Sequence, residues 1–455
     1  MEEDELVAYL NAAQTPYHAV AECVVRLRAA GFTEVNEKEA RWGLQAGGKY
    51  FYTRNGSALV AFAVGDKYDT SRSGAVIVGA HTDSPCPRLK PRSSLEKAGH
   101  VMLGVAGYGG GLWHTWFDRD LTVGGRAVVR NDKDVLESRL VCIPRPICRI
   151  PNLAIHMCSS EERTSFKPNL QNHFPPMLAT TIDDSLWRAD PKSHHHPLLV
   201  RLVAEHLDVE PSAVADFELQ LCDTQPATRG GATREFVYSG RLDNLACCAA
   251  GVMALIEASQ DLTAVGNVMC LALFDHEEVG SQSATGAQGP LLRDTLLRLA
   301  ADLDTYDVGA AALRARSILI SADMAHAHHP NYADRHDPEH APKLGKGLVI
   351  KHNANQRYAT NCFGANFIRK CAADADLSPC QEFAVKADMA CGSTIGPISA
   401  ANLGIRTVDV GPPQLSMHSI REMMHVDDFR HTRLLFTHAF KHYHTLASND
   451  FSHLF

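Results

Sequence analysis

Four short apolar runs, each giving way at once to histidines and carboxylates, constrain this chain more than any other feature. Ala75-Val76-Ile77-Val78-Gly79-Ala80 leads into His81-Thr82-Asp83-Ser84-Pro85, and residues 268–274 lead into Asp275-His276-Glu277-Glu278-Val279-Gly280-Ser281. Residues 318–322 lead into Asp323-Met324-Ala325-His326, and residues 407–411 run through Pro412 and Pro413 to Met417-His418-Ser419. Runs of strand length that alternate with helical patterns predict an α/β fold with a mostly parallel sheet. Further strands are expected over residues 58–64 and 347–350, and helices over 19–30, 244–258, 290–302, 361–373 and 429–446. These elements assemble into a three-layer α/β/α unit.

In an open parallel sheet the carboxyl ends of the strands converge on one rim, where sites form. One histidine after one strand is usually an ordinary surface residue; such groups at four strand ends are not independent accidents. Carboxylates gathered on that rim without a cation would repel one another or lie unpaired, and a bound metal removes that cost. A fifth element, Ser239-Gly240-Arg241-Leu242-Asp243-Asn244-Leu245, sets an acid before an Ala-rich helix. Alone, Asp243 reads as a helix N-cap; beside the other groups it reads as a carboxylate able to bridge two metal ions. Two histidines and three acids form an N/O donor set that suits Zn²⁺ and tolerates Mn²⁺ or Co²⁺. His276-Glu277-Glu278-Val279-Gly280 lacks the second histidine of H-E-x-x-H, and neither Gly392-Ser393 nor Gly280-Ser281 completes a G-x-S-x-G elbow, so single-zinc helix-borne and serine chemistries are disfavoured.

At 455 residues the chain exceeds what one core usually supports, so two domains are expected. Residues 1–92 and 235–455 read as a discontinuous catalytic domain. The stretch 93–234, rich in glycine clusters and hairpin-like runs, reads as an inserted β-rich dimerisation or lid domain. Its His194-His195-His196 reads as a solvated loop rather than a metal site. A net charge of −8 lacks the basic footprint of a nucleic-acid binder. No apolar run reaches the roughly 20 residues that span a bilayer, and the acidic start Met1-Glu2-Glu3-Asp4-Glu5 is unlike a leader. Thirteen cysteines, an odd number without a C-x-x-C pair, fit reduced thiols in the cytoplasm.

The motifs Gly79-Ala80-His81-Thr82-Asp83-Ser84-Pro85, Ser239 to Leu245, Asp275 to Ser281, Ser321-Ala322-Asp323-Met324-Ala325-His326, Lys351-His352-Asn353-Ala354-Asn355-Gln356-Arg357-Tyr358 and Met417-His418-Ser419-Ile420-Arg421-Glu422, in that order, resemble the aspartyl aminopeptidase family of co-catalytic binuclear-zinc enzymes over essentially the whole chain. The resemblance implies two divalent metal ions per subunit, with His81 and Asp323 on one, Glu278 and His418 on the other, and Asp243 bridging. It makes Glu277 the general base that takes a proton from the metal-activated water and returns it to the leaving amine. Asp83 is expected to orient the His81 imidazole.

The same resemblance implies peptides with an N-terminal Asp or Glu as substrates. A chain carrying a net −8 has no general attraction for them, so a local positive group is needed; Lys351 and His326 are the candidates. It also implies dimers that assemble into a tetrahedral homododecamer, with His156 of the insertion reaching a partner's site; read without it, His156 in Asn152-Leu153-Ala154-Ile155-His156-Met157 is a core histidine of an apolar strand. Competing readings are a same-fold aminopeptidase preferring neutral N-termini, a non-catalytic self-assembling cargo or scaffold relative, and a binuclear phosphoesterase.

Overall fold

The computed structural model describes residues 2–180, 194–303 and 309–449. The chain forms two compact units: Met1–Asp83 with Thr228–Met417 and Glu422–Phe455, and Ser84–Ala227 with the short return His418–Arg421. The sequence reading places the divisions at 92/93 and 234/235; the contacts place them earlier. The reason is that strand Cys86–Lys97 pairs with His100–Tyr108 and with Val214–Asp223 inside the second unit.

The first unit holds a nine-stranded sheet in the order Thr33–Glu34, Lys49–Arg54, Ala58–Val64, Val268–Phe274, Ala75–His81, Ile318–Ala322, Arg406–Gly411, Val349–His352 and Gln381–Ala384. The central strands Val268–Phe274, Ala75–His81, Ile318–Ala322 and Arg406–Gly411 are mutually parallel, so their carboxyl ends share one rim. Ala58–Val64 and Val349–His352 run antiparallel to their inner neighbours. Strand Val349–His352 starts later than the expected 347 because Gly345 and Gly347 take φ of 73° and 88° and hold the chain in a turn. Ala58–Val64, Ala75–His81, Val268–Phe274 and Ile318–Ala322 are buried at every position, which is why they read as unbroken apolar runs rather than alternations.

Both faces of the sheet are covered. Val60, Phe62, Ile77 and Cys270 point to one face and pack with Leu291, Leu296, Leu299 and Ile395 from helices Leu291–Leu303 and Ile395–Leu403. Val78 and Leu271, of opposite parity, meet helix Leu242–Ala258 on the other face, and helix Val426–Asn449 packs there too. Helix Leu242–Ala258 is apolar on nearly every side and correspondingly buried. A smaller five-stranded sheet, Thr228–Gly230, Phe236–Ser239, Glu422–His425, Pro413–Leu415 and Ala325–His326, joins segments that follow the central strands.

The second unit is a six-stranded antiparallel sheet ordered Leu136–Cys142, Leu121–Arg130, Val214–Asp223, Cys86–Lys97, His100–Tyr108 and Met177–Thr180. Its core contains Leu103, Val123, Phe174 and Leu219, with Leu199 and Val203 from helix Pro197–Leu207. The histidine triplet is structural rather than simply solvated. His196 Nδ1 accepts the Leu198 N–H at 3.2 Å and caps that helix, while His195 Nδ1 lies 2.8 Å from Ser93 Oγ. Residues 181–193 of the proposed insertion fall outside the described residues.

The close approach of helix Leu242–Ala258 to the sheet depends on Gly251, where an added Cβ would come within 2.6 Å of Leu271 Cδ1 and 3.5 Å of Val78 Cγ1. Gly251→Val should therefore overpack this layer and cost about 1–3 kcal/mol, read as a lower urea midpoint than the parent protein.

Candidate metal centre

His81 ends its strand with the ring pointing into a pocket of acids. Nε2 lies 3.3 Å from Asp243 Oδ1, 3.5 Å from Asp323 Oδ1 and 3.8 Å from Glu277 Oε2. On the far side of the ring, Nδ1 is 3.0 Å from the backbone carbonyl of Asp83. A carbonyl oxygen only accepts, so Nδ1 carries a proton and Nε2 is the nitrogen turned toward the carboxylates. A lone pair facing oxygen acceptors is stable only with a cation between them, either a second ring proton or a metal ion. Two overlapping groups offer one ligand atom per residue, all within 4.8 Å: His81 with Glu277 and Asp323, and His81 with Asp243 and Glu278. One imidazole shared by carboxylates is a donor set that fits Zn²⁺.

The charges respond accordingly. Burial alone would depress the His81 pKa, but Glu277, Asp243, Asp323 and Asp83 outweigh it and hold the ring well above its ordinary value. Burial, opposed by His81 and reinforced by Asp323, Asp243 and Asp83, pushes the Glu277 carboxyl up to about 8. The Glu277 side chain remains 14% exposed, which leaves it an edge toward water.

Local structure explains how each acid is held. The Asp83 carboxylate makes its shorter contacts away from His81. Its Oδ1 and Oδ2 accept the backbone N–H groups of Glu277 and Glu278, each at 3.1 Å, so one carboxylate fixes the start of the turn that carries both acids. Its Oδ1 is 3.4 Å from His81 Nδ1, farther than its own carbonyl. Asp243 is not the helix cap. Arg241 occupies that position in a left-handed conformation, and Asp243 sits inside the first turn with non-helical φ −82° and ψ 105°. The Asp243–Asn244 peptide is cis. Asp323 continues the ladder beyond its strand, its N–H donating to Val410 O at 2.9 Å. Gly411 is required beside it, since a Cβ there would overlap the Asp323 carbonyl oxygen.

The remaining site candidates fall elsewhere. Lys351 is not a solvated lysine at a strand end. It lies within Val349–His352, 1% exposed, with Nζ donating to Met324 O at 3.1 Å, 3.9 Å from Asp323 Oδ2 and 5.1 Å from the centre of the Tyr358 ring. His326 is exposed, edge-on to Phe383 at 5.7 Å, and lines a cavity of about 330 Å³ together with Arg335, His336 and Lys386. His418 belongs to the second unit, where Nδ1 lies 2.9 Å from Gly110 O. His156, also in the second unit, is neither buried nor in a strand; it occupies an exposed helical turn, Ile155–Met157, between the exposed side chains of Ile155 and Met157.

Three polar residues near the centre had no role in the sequence reading. Asn244 Nδ2 donates to Ala322 O at 2.8 Å, Glu422 Oε2 accepts the Asp243 N–H at 3.1 Å, and Asp409, fully buried, accepts from Thr394 Oγ1 at 2.5 Å and Ala359 N–H at 2.6 Å. Burial raises the Asp409 pKa, and Lys351 pulls against it. A charged residue at Asp409 between the apolar Val408 and Val410 was the one visible signal.

Residues 9–440 match the family model described as Aminopeptidase I zinc metalloprotease (M18). A "Probable aspartyl aminopeptidase" of Ricinus communis is 46% identical, the alignment covering 99% of this chain and 96% of that protein. A chain in the cryo-EM structure of the Ape4 and Nbr1 complex superposes with a TM-score of 0.95 at 40% identity, covering 98% of this chain and 86% of its own. The S. cerevisiae mApe1 dodecamer structure gives 0.86 at 30% identity, with 99% of each chain covered. The chain belongs to the M18 family of zinc metalloproteases and is a zinc-dependent aminopeptidase, a hydrolase.

Glu277 and His81 both hold protons that an entering metal ion must displace. Both folded pKa values stand above the unfolded ones, so in the metal-free protein their contribution to stability is complete at low pH and falls as pH rises, for Glu277 through about 8. Zinc affinity runs the other way. Titration of metal-stripped protein between about pH 6 and pH 9 should show affinity rising roughly tenfold per pH unit for each proton released, then levelling off; a flat profile would contradict the protonation described here.

Proposed function

We propose that this aminopeptidase removes N-terminal Asp or Glu from peptides at a pair of zinc ions. His81 and Asp323 hold one ion, Glu278 and His418 the other, and Asp243 bridges them. The observation that carries this reading is the gathering of Asp243, Glu277, Glu278 and Asp323 around the Nε2 of His81. When bound, the ions supply Lewis-acid polarisation of the scissile carbonyl and acidify water. Glu277, partly open to solvent and close to His81, receives the proton of the attacking water and delivers it to the leaving amine. Asp83 keeps Glu277 and Glu278 in register through their backbone N–H groups, so proton transfer and metal binding stay on separate carboxylates.

Acidic selectivity rests on positive charge contributed by the segment after Asp323 and by the strands Val349–His352 and Gln381–Ala384 with the residues that follow. His326, Arg335 and Lys386 line the cavity of about 330 Å³, and Lys351 places its ammonium 3.9 Å from Asp323. A substrate carboxylate seated beside His326, Arg335 and Lys386 gains charge pairing that an apolar side chain does not, a difference of roughly 10² or more in kcat/KM. The thirteen free cysteines favour a cytoplasmic setting. Among the described residues no helix is long and apolar enough to cross a membrane. In line with the mApe1 dodecamer, subunits assemble through dimers into a tetrahedral homododecamer, in which the exposed His156 completes a partner's site.

Turnover of Asp-, Glu- and Leu-terminated chromogenic amides tests the specificity, and faster cleavage of the Leu substrate would remove the acidic assignment. Glu277→Gln should lower kcat by about 10²–10⁴ while zinc content is retained, and undiminished turnover would exclude Glu277 as the base.

A further inference from the structure

Asp243 bridges two metal ions only if the first turn of its helix stays open in one particular way, and the structure shows what keeps it open. The N-terminal amides of a helix have no partner within it. Here the Asp243 N–H is taken by the carboxylate of Glu422, which lies 179 residues further along the chain, is 2% exposed, and accepts at 3.1 Å. Glu422 is held in turn by its strand, Glu422–His425, whose residues pair with Phe236–Ser239, and its Oε1 lies 3.4 Å from Gln414 Nε2. The next residue, Asn244, is tied by its side chain to Ala322 O, one residue before Asp323. The turn is thus pinned from two sides while its backbone departs from helical values at Asp243.

We propose that Glu422 is a positioning residue for the metal centre: its buried carboxylate caps the Asp243 amide from across the small sheet and so fixes the Asp243 carboxylate beside His81. Glu422 acts through the backbone of Asp243, whose N–H it accepts. What the interaction requires of Glu422 is an acceptor oxygen at that place. Its charge is secondary, and a second negative charge near crowded carboxylates is unfavourable except through the N–H and the helix N-terminus it faces.

The proposal rests on the reading of Asp243 as a ligand, and zinc binding separates the two. Zinc dissociation constants of the full-length protein, measured by competition with a chromophoric chelator, and kcat and KM of the zinc-loaded enzyme are the readouts. Asp243→Asn retaining parental zinc affinity would remove the ligand reading itself. With that reading intact, Glu422→Ala should weaken zinc by about 10–100-fold and lower kcat with little change in KM. Glu422→Gln, whose amide oxygen still accepts the N–H, should restore both to within a few-fold. Should Glu422→Ala not fold, Glu422→Asp, which withdraws the acceptor by one methylene, carries the test at an unchanged circular dichroism spectrum and should show the same loss. Parental zinc affinity in the Ala or Asp variant overturns the proposal, and so does a Gln variant as impaired as the Ala variant.

Discussion

The Nε2 of His81 faces three carboxylate oxygens, and the rest of the catalytic unit is arranged around that electrostatic demand. Acids this close are costly together in a buried site unless a cation joins them. The fold tolerates them because each is held by something that does not compete for the metal. Asp83 is committed to backbone N–H groups, the amide of Asp243 to Glu422, and the amide of Asp323 to the neighbouring strand. The side-chain oxygens that point inward are left for the ion. Lys351, buried beside Asp323, adds one fixed positive charge to the same neighbourhood.

This explains why the centre grows from a parallel sheet. Parallel strands deliver several chain segments to one rim with fixed register: Phe274 pairs with His81, and Ala322 with Val410. Acids that follow those strands inherit positions set by ladders buried on both faces, where small displacements are resisted by close packing. Loops alone would have to hold like charges together against their repulsion. The tight neighbours Gly251 and Gly411 show the same rigidity from the other side, since each admits a backbone or side chain that a Cβ would displace.

Much of this was legible in the sequence because burial on both faces writes strands as unbroken apolar runs. Residues 58–64, 268–274 and 318–322 were bounded correctly for that reason. His81, Asp243, Glu277, Glu278 and Asp323 could be named because each directly follows such a run or opens a helix. What could not be read was anything carried by backbone partners across long separations. Asp243 looked like a cap because capping is its commonest use; the actual cap of its amide comes from Glu422, and no local pattern announces that. Lys351 could be named as a candidate cation, but not its burial, which one register position within Val349–His352 decides. His156 looked buried because its flanking residues are apolar, yet Ile155 and Met157 are themselves exposed.

Substrate choice then becomes a question of local against global charge. The chain carries a net −8, and its centre concentrates further acids, so an acidic peptide gains nothing from the long-range field. Discrimination has to come from within a few ångströms, where effective dielectric is low and pairing is strong. A cation that is itself buried and hydrogen-bonded, as Lys351 is to Met324 O, loses no freedom when a carboxylate arrives. Arg335 is an exposed long side chain that does lose it. For the acidic preference proposed above, any contribution of Lys351 comes from its fixed charge beside Asp323, and the contacts of a substrate side chain fall to the cavity residues.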